Sequence, residues 1–145
     1  MLDTYQDIDY HVFMTDNRYR KSAHAVFSLK YHFVCCPKYR RNIFTGKIAE
    51  RLKELLYEKA EELDIEMESM EVMPDHIHLF FSADTTDAPH RIASQFKGYT
   101  SKIMREECPE LLKLPSLWSR SYFISSVGHI SEETVKQYIE NQKGK

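Results

Sequence analysis

Met73-Pro74-Asp75-His76-Ile77-His78-Leu79-Phe80-Phe81 is the stretch that decides the fold. Side chains alternate sides along a strand, so Ile77, Leu79 and Phe81 point to one face and can anchor it in a core, while His76 and His78 point to the other. Residues two apart lie about 6.6 Å from one another along a strand, a gap that two imidazole rings leaning together close onto one cation. Neutral imidazole is the commonest protein metal ligand. Pro74 removes a backbone donor just before the strand and Asp75 favours a turn, which places the pair at the strand's start, open to a substrate. The spacing alone leaves two readings: a metal site, or two histidines on a solvated strand face.

The segments on either side supply the rest of a fold. A strand over about Ile65 to Met73 changes phase, Ile65 and Met67 sharing one parity and Met70 and Val72 the other, which predicts a bulge or strong twist near Ser69. Its short connection through Pro74-Asp75 makes the two strands antiparallel neighbours. Before it, Ile48, Leu52, Leu55, Leu56, Ala60 and Leu63 form one apolar stripe on a helix from about Lys47 to Leu63. The first strand runs from about Ala25 to Cys36, with Phe27, Leu29, Tyr31, Phe33 and Cys35 alternating against Ser28, Lys30 and His32. Pro37 ends it. For His32, DNA contact and simple packing are both open.

Downstream, Asp87 reads as the N-cap of a helix from about Ala88 to Glu107, with Pro89 in its first turn and Ile92, Phe96, Tyr99, Ile103 and Met104 inward. Ser121 to Val127 is a fourth strand, broken by Gly128. Ser131 caps a last helix whose stripe is Val135, Tyr138, Ile139 and Gln142. A purely structural helix would more usually carry an apolar residue at 142, and Tyr138 and Gln142 make an i, i+4 pair of hydroxyl and amide. The order strand, helix, strand, strand, helix, strand predicts an α+β, ferredoxin-like antiparallel sheet with two helices on one face. The C-terminal helix bearing Tyr138 is left to cover the histidine face. Residues 1–22 read as an N-terminal extension and residues 23–145 as a single domain.

With 145 residues, 42% hydrophobic and 29% charged, the chain is long enough for one real core. No stretch resembles a signal peptide and no apolar run reaches membrane-spanning length, so the expectation is a cytoplasmic protein with no membrane partner. Cys35, Cys36 and Cys108 form no Cys-x-x-Cys zinc signature and are expected reduced. The net charge of −2 averages unequal blocks: residues 18–53 carry ten Lys or Arg against Glu50 alone, and residues 54–75 carry nine acids against Lys59. Such asymmetry builds a local phosphate-attracting surface without a basic isoelectric point. Lys30, Lys38, Tyr39, Arg40 and Arg41 are its candidate DNA contacts, cations for phosphates and a ring for an unpaired base. The plain alternative is a basic loop.

Two histidines, a glutamine and a tyrosine make a coherent set. A divalent ion on His76, His78 and the Gln142 amide oxygen keeps positions open for phosphate oxygens. Tyr138, one turn from Gln142 and about 6 Å along the axis, lies beside the same ion. A phenol with a free pKa of about 10 is a poor nucleophile, and cation proximity makes its attack plausible. A covalent phosphotyrosine conserves the bond for a later joining step.

The chain resembles the HUH-type single-tyrosine transposases of the smallest insertion sequences, a group that includes REP-associated tyrosine transposases. The resemblance rests on Tyr31-His32 through Lys38-Tyr39-Arg40-Arg41, on Met73 to Leu79, on Leu117 to Phe123 leading to Ser126-Val127-Gly128, and on Val135 to Gln142. It implies metal-dependent cleavage and rejoining of single-stranded DNA, with His76, His78 and Gln142 as ligands of Mg²⁺ or Mn²⁺ and Tyr138 as the nucleophile that becomes linked to a 5′ phosphate. It also implies recognition of subterminal hairpins and a homodimer with active sites shared between subunits. Three other readings remain: a domesticated nuclease acting on palindromes, a non-catalytic single-strand or hairpin-binding module, and metal-dependent hydrolysis with water as nucleophile.

Overall fold

The alternation read from the sequence is obeyed in space: Ile77, Leu79 and Phe81 are fully buried, while His76, His78 and Phe80 between them are half-buried. The structure is a computed structural model and describes residues 20–21, 26–27, 29–83, 87–126 and 132–145. A short ribbon of β1 (Arg20–Lys21) and β2 (Val26–Phe27) is followed by β3 (Lys30–Cys35), α1 (Gly46–Glu62), β4 (Glu66–Met73), β5 (His76–Ser82), α2 (Pro89–Glu107), β6 (Phe123–Ser126) and α3 (Glu132–Asn141). The four long strands form one antiparallel sheet in the order β4-β5-β3-β6. This is the expected α+β, ferredoxin-like arrangement.

β5 is interior to the sheet and pairs on both sides, Val34 standing opposite His78 and Glu71 on its other flank. Directly opposed residues share a face. Phe33, Cys35, Ile77, Leu79 and Phe81 therefore meet α1 and α2 in one core with Leu52, Leu55, Leu56, Ile92, Phe96 and Met104. The other face presents His32, Val34, His76, His78, Phe80 and Phe123. The register of β4 on β5 slips between Met67 and Ser69, where the hydrophobic phase change asked for a bulge. Trp118 closes one end of the core: its Nε1–H donates to Thr100 Oγ1 (2.9 Å), which donates in turn to the Phe96 carbonyl (2.7 Å). No polar atom of that chain is left unpaired by burial.

Two local expectations change. The long first strand begins at Lys30 rather than Ala25, and Val26–Phe27 pair instead with Arg20–Lys21. Asp87 does not cap α2: Ala88 holds the N-cap position without a side-chain cap, and Asp87 ion-pairs Arg91 one turn along (2.8 Å). With Pro89 in the first turn one orphan donor is already removed, which lowers the need for a cap. Most of the N-terminal extension, the Gly128 break, the Ser131 cap and His11, His24 and His129 lie outside the described residues. No described helix is long and apolar enough to cross a membrane.

Since Leu79 anchors the strand that displays the histidines, Leu79→Ala is expected to lower stability by about 2–5 kcal/mol, the usual range for a core leucine. Urea unfolding followed by circular dichroism reads the loss, and a value below about 1 kcal/mol would contradict the assignment of this face to the core.

Candidate active site

On the sheet face away from α1 and α2, each histidine has its own neighbour. His76 Nδ1–H donates to Asp75 Oδ1 (2.8 Å). The carboxylate can only accept, so the bond fixes the tautomer and leaves Nε2 with the ring's free lone pair. A carboxylate behind an imidazole is the usual support of a metal-binding histidine. His78 Nε2 lies 3.0 Å from Nδ1 of His32, one nitrogen donating and the other accepting. The His32 ring is stacked on Phe80 with centroids 4.9 Å apart. Burial pushes both imidazoles below their ordinary pKa, and for His78 the neighbouring His32 adds to the effect. The shift favours the neutral form of both rings, as does the hydrogen bond they share.

α3 lies on the same face. Tyr138 packs its ring on Phe123 of β6, centroids 5.5 Å apart, and Gln142, one turn on, is 6% exposed. Ser121 joins the two. Its Oγ–H donates to Gln142 Oε1 (2.7 Å). Because a hydroxyl has one proton, the 3.0 Å contact between Ser121 Oγ and Tyr138 must have the phenol as donor. Burial pushes the Tyr138 phenol up to about 12, the Ser121 contact offsetting only part of that rise. Lys97 of α2 steadies the segment bearing Ser121, donating to the carbonyls of Ser119 (2.8 Å) and Arg120 (3.1 Å).

The halves of the site are joined by Arg40. Its Nε lies 3.1 Å from Asp75 Oδ2, and its Nη1 donates to the Ile139 carbonyl in the last turn of α3 (3.0 Å). The turn that carries it is strained. Tyr39 and Arg40 both have left-handed backbones, φ 60° and 49°, a conformation costing about 1–3 kcal/mol per non-glycine residue.

The basic cluster is therefore not uniform. Tyr39 is exposed, with Lys38 Nζ 5.2 Å and the Arg41 guanidinium carbon 6.0 Å from the centroid of its ring. Tyr39 and Arg41 face solvent, and Lys38 beside them is half-buried. Lys30 ion-pairs Glu68 across the sheet (2.8 Å), and Arg40 is turned inward. Ser121, Lys97 and the inward role of Arg40 were missed by sequence reasoning, since their partners are distant in the chain. Asp75 carried a readable signal, a carboxylate next to a histidine, but was taken only as a turn former.

Among the described residues no three His, Cys, Asp or Glu side chains converge on one point. A metal site here consequently needs a neutral oxygen beside the two imidazoles, and the Gln142 amide supplies one of the right kind. Two imidazoles and an amide oxygen are donors of the kind a divalent ion accepts, with His78 Nε2 here engaged by His32 and Gln142 Oε1 by Ser121.

Comparison with known proteins agrees with this layout. The family model described as "Transposase IS200 like" matches residues 25–142. The ISDra2 transposase TnpA of Deinococcus radiodurans is 34% identical over 129 residues, covering 87% of this chain and 92% of that protein. The transposase for insertion sequence element IS200 of Salmonella typhimurium is 27% identical over 123 residues, covering 83% and 80%. A crystal structure assigned as a transposase from Deinococcus radiodurans R1 superposes with a TM-score of 0.81 at 31% identity, over 87% of this chain and 99% of that one. A REP-associated tyrosine transposase bound to a REP hairpin shares the fold, with a TM-score of 0.53 at 13% identity over 77% and 62%. With a family model spanning most of its length and a relative above 30% identity along nearly all of it, the chain belongs to the IS200-like transposase family.

Proposed function

We propose that this transposase cuts and rejoins single-stranded DNA through Tyr138, with Mg²⁺ or Mn²⁺ held by His76, His78 and Gln142. The observation that carries the reading is the hydrogen-bonded run from the Tyr138 phenol through Ser121 to the Gln142 amide, on the sheet face that also bears both histidines. A divalent ion supplies Lewis acidity toward the scissile phosphate and lowers the pKa of a nearby phenol. Tyr138 Oη attacks phosphorus, the bond to the 3′ oxygen breaks, and the 5′ phosphate stays on the tyrosine. One proton leaves the phenol and one arrives at the 3′ oxygen, so no water is consumed. Attack of another 3′ hydroxyl on the phosphotyrosine reverses the step and releases joined DNA.

The raised phenol pKa supports a nucleophile that stays neutral until cation and DNA are in place. Asp75 supports His76 through its Nδ1–H, and half-buried Lys38 with exposed Tyr39 and Arg41 are placed to hold phosphate and stack an unpaired base. Hairpin ends are the proposed substrate, in keeping with the REP hairpin bound by the protein of like fold. A homodimer whose subunits share active sites belongs to the same proposal.

Two measurements test this. Wild-type and Tyr138→Phe proteins are incubated with single-stranded oligonucleotides carrying the genomic sequence that flanks the gene, with Mg²⁺, Mn²⁺ or EDTA. A denaturation-resistant protein–DNA adduct is expected only with Tyr138 and metal, while Tyr138→Phe still binds. Cleavage without an adduct would assign the attack to water, and binding without cleavage would leave a binding module. In the second, Asp75→Asn is expected to weaken Mn²⁺ binding about 10–100-fold, as loss of a carboxylate behind a ligating histidine usually does. Titration followed by electron paramagnetic resonance reads it, and unchanged affinity would remove His76 from the ligand set.

A further inference from the structure

We infer that Arg40 is a positioning residue that locks the tyrosine helix to the histidine strand, and is not one of the DNA phosphate contacts. The inference rests on the strand-transfer reading above for what the lock serves. Its geometry stands independently.

Three features single out Arg40 from the basic cluster around it. Its side chain is only 15% exposed, whereas Tyr39 beside it is 42% exposed. Every polar group it meets belongs to the site: Asp75 Oδ2 at 3.1 Å, the Ile139 carbonyl at 3.0 Å and Glu140 Oε2 at 3.6 Å. Asp75 in turn uses its other oxygen, Oδ1, on His76. One guanidinium thus connects the carboxylate that orients His76 with the helix turn lying between Tyr138 and Gln142.

The chemistry suits arginine and no other side chain. The last four carbonyls of a helix lack intrahelical donors, and the C-terminal end carries partial negative charge. The Ile139 carbonyl already accepts from the Gln142 N–H (3.1 Å), and Arg40 takes its second lone pair at that negative end of the helix. The planar fork also lets Nε serve Asp75 while Nη1 serves α3, two directions that the point charge of a lysine cannot hold together. The left-handed backbone at Tyr39 and Arg40 gives the third argument. Strain of that kind persists where surrounding structure over-determines it. Here it is fixed by the inward bonds of Arg40 and by the Tyr39 N–H, which donates to the Lys145 carbonyl (2.9 Å). The turn is bent so that Tyr39 faces out and Arg40 faces in.

The test compares wild type, Arg40→Gln and Arg40→Lys as full chains, each checked for an unchanged thermal midpoint. Binding to the flanking single-stranded oligonucleotide is measured across a salt series, hydrogen exchange is followed over residues 132–142, and adduct formation is timed at saturating DNA. A positioning role predicts three results for Arg40→Gln. DNA affinity and its salt slope are unchanged, exchange in α3 speeds up at least about tenfold as the last turn loosens, and adduct formation at saturating DNA slows at least about tenfold. Arg40→Lys keeps the charge and is not expected to restore either. A phosphate contact predicts the reverse: affinity falls, the salt slope drops by about 1, lysine rescues, and α3 exchange is unmoved. That pattern would overturn the inference. If the wild type forms no adduct, the strand-transfer reading fails, while exchange and salt slope still decide the placing of Arg40. Should either variant unfold, Glu140→Gln and Asp75→Asn probe the lock from its other ends, and unchanged α3 exchange in both would overturn it.

Discussion

The two-faced pairing of β5 is the constraint from which the rest follows. An interior strand hydrogen-bonded on both flanks has no freedom to rotate, and a slip of one residue would exchange its faces completely. Ile77, Leu79 and Phe81 fill the core beneath α1 and α2, so His76 and His78 have only the other face. Burial of three large side chains is worth several kcal/mol, far more than two imidazoles gain by any one contact on the open side. The apolar face thus fixes the polar one, and the site inherits the rigidity of the core.

That rigidity is not extended to α3 by the same means. α1 and α2 are held by apolar stripes, whereas α3 meets the sheet through the Phe123–Tyr138 ring contact, the Ser121 bridge and the Arg40 lock. Polar contacts at a partly exposed surface contribute about 0.5–1.5 kcal/mol each, but they are directional. They set angles and distances more strictly than greasy packing does. For a helix proposed to carry a nucleophile and a ligand, orientation is the property that matters.

Legibility in the sequence divides along the same line. β5 was readable to the residue, from His76 to Ser82, and the slip in β4 near Ser69 was readable from a change of hydrophobic phase. Both depend on alternation, which is local. The family resemblance drawn from four separated motifs agrees with the family match over residues 25–142. The start of β3 was misplaced because the apolar alternation runs through Val26 and Phe27 without a break, while the pairing partner changes there. Asp87 looked like a cap because its type and position suit one, yet Arg91 one turn on competes for the carboxylate. Arg40 looked like its neighbours because composition carries no direction. Only a left-handed turn, invisible in residue types that are neither glycine nor asparagine, separates it from Lys38 and Arg41.

Gln142 shows the same logic at the level of a single side chain. A leucine there would continue the stripe of Val135 and Ile139 and bury apolar surface at no polar cost. An amide in that position needs a polar partner, and Ser121 supplies one to its oxygen. Two consecutive left-handed residues at Tyr39 and Arg40 add strain a few ångströms of chain away from the same helix. Stability is thus given up at the turn that carries Arg40. The core beneath, by contrast, satisfies even the indole of Trp118. The backbone strain at Tyr39 and Arg40 is an unfavourable term placed beside Tyr138, where the proposed chemistry can use it.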